Sequence, residues 1–133
     1  MGEFLLGLHA LVRWLLVLVM IAAFVKIAIG LVRKSAYDKL AERLMIAFSG
    51  VATLQWLIGL ILFVVLNSFS VGYRWEHAGV MTVAVGLSHM HMRWKKAPDA
   101  TRYRASLIIL IVVLVLVFIG VALLPQGWRL YPA

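Results

Sequence analysis

Four long apolar runs, separated by short polar joints, dominate the chain. They cover about 8–32, 44–66, 75–94 and 105–124, and each meets the roughly 20 residues that a membrane-spanning helix needs. The third is the most polar; the fourth is an unbroken run of Leu, Ile and Val from Leu107. The joints, 33–43, 67–74 and 95–104, carry turn formers and charges such as Ser35, Asp38, Asn67, Gly72, Pro98 and Asp99. Joints this short make successive helices antiparallel. The pattern therefore predicts an all-α, integral membrane four-helix bundle, up-down-up-down, as a single domain over 1–133. No basic patch precedes the first run, which predicts a retained helix rather than a cleaved signal.

Composition agrees with the pattern. Hydrophobic residues make up 65% of the 133 and charged residues 14%, against about half and a quarter in soluble domains. The absence of cysteine excludes disulfide scaffolds, thiolate metal sites and iron–sulfur clusters. The net charge of +8 reports topology in a membrane chain rather than nucleic-acid binding. Arg33, Lys34, Lys39 and Arg43 crowd the first joint, and Arg93, Lys95, Lys96, Arg102 and Arg104 the third. The other side has Arg74 and Arg129, with Arg13 just inside the first helix. The basic side is expected in the cytoplasm, with both termini on the outer, periplasmic side. Trp75, Trp94, Trp128 and Tyr131 fall where interfacial anchors belong.

Polar groups inside spans are costly, so each is a functional candidate. They are His9, Arg13, Lys26, Gln55, His77, His89 and His91. Lys26 sits near the cytoplasmic end and is expected to snorkel. No carboxylate lies deep in a span, since Glu3 and Glu76 are at the boundary, which argues against a proton-coupled exporter. His9 and His77 share a depth near the outer face on different helices. Two neutral imidazoles so placed are what axial ligation of a b-type haem requires, although interfacial histidines match in depth by chance as well. Arg13, one turn after His9, and Arg74 are placed to neutralise haem propionates. His91 falls near the stripe of His77 about 20 Å further along, but the first helix offers Ala23 at that depth. A second bis-histidine site lacks its partner, so His89 and His91 read as interfacial residues. Gln55 reads as glue between helices, with contact to a quinone or haem edge as the alternative. The fourth helix reads as a lipid-facing wall that lines no polar site, and Met20, Met45, Met81, Met90 and Met92 as core fillers.

Several stretches carry a resemblance: His9-Ala10-Leu11-Val12-Arg13-Trp14, Leu54-Gln55 with Gly59-Leu60-Ile61-Leu62, Glu76-His77 with Met81, and 86–96. Together they resemble small bacterial four-helix membrane proteins of the cytochrome b-like type, over nearly the whole chain. The resemblance implies haem b, electron transfer in the bacterial inner membrane, and His9 and His77 as the iron ligands. It leaves the paired His89 and His91 without a clear counterpart. Expected partners are membrane lipids and other membrane subunits or a redox partner, not nucleic acid. The alternative is a cofactor-free accessory or assembly subunit of a larger respiratory or photosynthetic complex.

Overall fold

A computed structural model describes residues 1–125, 127 and 128. It contains α1 (Gly2–Arg33), α2 (Lys39–Val65), α3 (Gly72–Ser88) and α4 (Asp99–Ala122), with 3-10 turns at Ser68–Ser70 and Met90–Trp94 and no strand among the described residues. Three helices, α1, α2 and α4, are long and apolar enough to cross a membrane. Helix α3 has 17 residues, about 26 Å at 1.5 Å per residue, and the 3-10 turn extends that wall by about 10 Å. The outer-side charge Arg129, the expected anchor Tyr131 and most of the expected tail over 125–132 lie outside the described residues.

The joints show why each helix stops where it does. Lys34 ends α1 in the left-handed region (φ 54°), its N–H and that of Ser35 bonding carbonyls of the last turn, the pattern that terminates many helices. Asp38 starts α2 by accepting the Ala41 N–H at 2.9 Å. The same carboxylate holds Lys26 Nζ at 2.8 Å, so the lysine of α1 does reach its end of the bundle. The Lys26 ammonium first, and then the Ala41 N–H, hold the Asp38 carboxyl below its ordinary 3.8. That support is present above the ordinary carboxylate range and is lost as pH falls through the lowered value. Asp38→Ala is expected to fray the first turn of α2, read as faster amide hydrogen exchange at 40–42.

Packing follows a closed ring in which α1 neighbours α2, α2 neighbours α3, α3 neighbours α4 and α4 neighbours α1. Helices α1 and α3 thus face each other across the diagonal. The helices are apolar around most of their circumference, so hydrophobicity alone cannot choose the inward face. Small residues are frequent on it: Ala10, Ala23, Gly30, Ala41, Ala52, Ala84 and Gly120 are buried beside larger ones such as Met20, Ile27 and Phe48, while Leu11, Leu18, Ile61 and Phe118 point outward. Small residues let backbones approach where lipid supplies no hydrophobic drive. At the basic end the first joint is tied to α4: Tyr103 donates to the Ala36 carbonyl at 2.8 Å, the Tyr37 N–H to Asp99 at 3.1 Å, and the Tyr37 and Ser106 hydroxyls share a hydrogen bond of 2.9 Å.

Three sequence expectations need correction. Helix α4 is no lipid-facing wall: Ile109, Leu110, Val113, Val117, Gly120 and Val121 are buried in the core, because their β-branched and small side chains fill the space left beside Met20, Met45 and Phe48. Met90 and Met92 are exposed rather than core fillers, whereas Met20 and Met45 are fully packed. The expected helix over 75–94 stops being α-helical at Ser88. Positions two apart on a continuous α-helix point about 200° apart, yet the side chains of His89 and His91 both bond α2. Ser88 turns its hydroxyl back onto the Val85 carbonyl at 2.6 Å, and the backbone tightens into the 3-10 turn that presents both imidazoles to one neighbour.

Candidate functional site

The site lies at the end of the bundle where α1 and α3 begin and α2 and α4 end. Four antiparallel helices bring residues early in α1 and α3 level with residues late in α2 and α4. His9 sits on the inward stripe with Ala10, Val12 and Leu16. Its ring meets that of His77 across the diagonal, centroids 6.4 Å apart and planes at 79°. Gly59 of α2 makes room, since a Cβ there would meet His9 Cε1 at 3.2 Å.

Backbone positions the His77 ring. His77 Nδ1 lies 2.7 Å from the Gly120 carbonyl of α4. A carbonyl can only accept, so Nδ1 carries the proton and Nε2 keeps a lone pair. This is the arrangement that orients metal-ligating histidines. Gln55 donates through Nε2 to the His9 carbonyl at 2.8 Å, the interhelical staple expected of it. Two buried side-chain atoms here have no hydrogen-bond partner, His9 Nδ1 and Gln55 Oε1.

Two arginines line the same space. Arg74 donates to the buried Ser68 hydroxyl at 2.8 Å. The Arg13 guanidinium lies 5.2 Å from the Trp14 ring and 5.6 Å from that of Trp128, a cation–π arrangement. A cavity of about 170 Å³ is lined by His9, Arg13, Gln55, Arg74 and His77, together with apolar residues of all four helices. The five residues read in the sequence as candidates for the haem site therefore line one cavity, whereas Lys26, His89 and His91 do not.

A metal ion taking an imidazole nitrogen on each side at about 2.0–2.1 Å separates the ring centroids by about 6 Å. The 6.4 Å centroid separation is of that order, and two neutral imidazoles are a donor set that suits haem iron. The void is smaller than the roughly 300 Å³ at which ligand pockets begin, so a macrocycle requires lining side chains to move aside. A metal held by protein donors alone is a poorer fit, because no cluster of three or more His, Cys, Asp or Glu occurs among the described residues.

A second polar group sits nearer the basic end, and its α2 members were missed in the sequence. The Thr53 hydroxyl lies 2.8 Å from the Ser49 carbonyl and shares a hydrogen bond of 2.7 Å with His89 Nε2. The Ser49 hydroxyl, with one proton to give, lies 3.2 Å from the Met45 carbonyl and 3.1 Å from that of Ile46, and it shares a hydrogen bond of 3.3 Å with His91 Nε2. One step along, Trp56 donates to Thr82 at 3.0 Å. The signal was the stripe Ser49, Thr53, Trp56, spaced four and three apart on an otherwise apolar helix. His91 is buried rather than interfacial, and both histidines staple the 3-10 turn to α2. Replacing Ser49 by Ala and Thr53 by Val together is expected to destabilise this seam by about 1 kcal/mol, the scale of interhelical hydrogen bonds in membranes. Imidazole nitrogen NMR would report the lost contacts.

No family model, no curated protein and no solved structure matches the chain.

Proposed function

We propose that the chain is a membrane b-type cytochrome that holds one haem between His9 of α1 and His77 of α3. The observation that carries this reading is the imidazole pair facing across the bundle diagonal at 6.4 Å. The fixed tautomer of His77 and the arginines lining the cavity support it. The haem supplies reversible one-electron transfer. His9 and His77 would hold its iron, with the Gly120 carbonyl fixing one ring and Gln55 the helix that bears the other. Arg13 and Arg74 neutralise propionates at the wet boundary. The apolar lining keeps water out and the dielectric low, which tunes the potential.

By the distribution of Arg and Lys, the basic joints face the cytoplasm of a bacterium and the imidazole pair lies near the periplasmic face of its inner membrane. A haem held there would exchange electrons between quinol and a redox partner or neighbouring membrane subunit at that face. A second use of the cavity is favoured by the unpartnered Gln55 Oε1, which suits the hydroxyl of a quinol head group.

The test is a dithionite-reduced minus oxidised spectrum of the purified protein with a pyridine haemochrome count. The expected result is a b-type α-band at about one haem per chain. A flat spectrum from haem-replete cells overturns the reading and leaves the cofactor-free accessory subunit, to be sought through the complex it stabilises.

A further inference from the structure

At the basic end, the outer seam between α3, the 3-10 turn and α4 carries a second hollow, of about 450 Å³. Its lining changes character along its length. Thr101, Arg104 and Trp94 stand at one end, and Leu87, Ile108 and Val112 continue below them. From Thr101 to Val112 the hollow follows α4 for about 16 Å, close to the thickness of one leaflet of a bilayer hydrocarbon core, about 15 Å. It opens on the outside of the bundle, where Ile108 is 59% exposed.

The charges at the rim are predominantly positive. Arg104 is exposed and has no acidic partner among the described residues. Its neighbour Arg102 is different, lying 3.9 Å from Glu42 and over the Tyr37 ring at 4.0 Å. Asp99, the nearest acid in the sequence, accepts the Tyr37 N–H. Arg93 leans over the Trp94 ring at 5.9 Å, and Lys95 and Lys96 follow, both exposed. A cationic rim with an aromatic side chain at headgroup level, above an apolar trough one leaflet deep, matches a lipid in both charge and length.

We propose that this hollow binds one acyl chain of an anionic phospholipid from the leaflet on the basic side, with the phosphate on Arg104 and Thr101. The site is independent of the haem reading, because it shares no residue with the His9–His77 cavity. It gives the protein a fixed depth and a lipid requirement at the end away from the imidazole pair.

Native mass spectrometry tests it on the full chain released from nanodiscs of equal phosphatidylglycerol and phosphatidylcholine with matched chains. The wild type is expected to retain one phosphatidylglycerol, preferred about five-fold, the factor one basic side chain contributes near an anionic surface. Arg104→Ala should bring phosphatidylglycerol down to the level of phosphatidylcholine. Ile108→Trp, at an exposed position, should fill the trough and reduce retention of both. Lys96→Ala should change little, and circular dichroism of each variant should match the wild type. Equal retention of the two lipids by the wild type, or an unchanged preference in Arg104→Ala, overturns the proposal. So does a dimer that dissociates in Ile108→Trp, because a second copy then occupies the trough. Inorganic phosphate that displaces the lipid completely also counts against it, since the acyl chain is then not held.

Discussion

His77→Ala abolishes the reduced-minus-oxidised α-band, and His9→Ala does the same, while both variants keep the helical circular dichroism of the wild type. That is the expected result if the diagonal imidazole pair holds iron, because neither ligand has a substitute. His89 and His91 are engaged with Thr53 and Ser49 on the α2–α3 seam, and no other histidine exists in the chain. Free imidazole added to His77→Ala should restore the band, since the variant vacates the ring's own volume. A purely structural histidine predicts no such rescue. Gln55→Leu separates holding the ligand from being one. It breaks the staple to the His9 carbonyl but removes no ligand, so occupancy should fall several-fold without vanishing, in line with the 10–100-fold cost of lost outer-shell partners. A band that survives both alanine variants undiminished would sink the bis-histidine assignment.

The parts of this site that were legible in the sequence are those that depend on depth. Alternating direction across four apolar runs is enough to place His9 and His77 level with each other, with Arg13 and Arg74 at the same end. What the sequence concealed depends on rotation and on backbone. Helices apolar around most of their circumference carry little periodic signal, so the inward turn of α4 could not be read and its helix passed for a lipid-facing wall. The Gly120 carbonyl that fixes the His77 tautomer is a backbone atom, to which no side-chain pattern points. The angular relation of His77 to His91 failed for a related reason. It assumed 100° per residue through Ser88, where the chain changes to a tighter winding. Tyr103, among the largest fully buried side chains, was overlooked because it stands among the charges of the third joint.

That tyrosine governs the second large effect, Gly30→Ala. Gly30 is buried near the end of α1, and a Cβ there would collide with Cζ, Cε1 and the hydroxyl of Tyr103. The ring has little room to yield. It is 1% exposed, its hydroxyl donates to the Ala36 carbonyl, and the Tyr37 ring packs 4.8 Å away. In a close-packed interior such overpacking costs about 1–3 kcal/mol, here compounded by displacement of the joint that Tyr103 ties to α4. Gly30→Ala should therefore lower the thermal midpoint of the detergent-solubilised protein clearly. Gly50→Ala is its control: nothing lies within 4 Å of a Cβ there, so alanine's better helix propensity, up to about 1 kcal/mol, should leave the midpoint unchanged or raised. Gly120→Ala should fall between them, because the nearest group it meets is the flexible end of Met81, with the stiffer Val80 Cγ1 at 3.3 Å. The decisive variant is the double one. Tyr103→Leu alone loses a buried ring and its hydrogen bond, but combined with Gly30→Ala it also removes the collision, so the pair should be more stable than the sum of the two losses. Strictly additive losses would mean that Gly30 is destabilised by something other than contact with Tyr103.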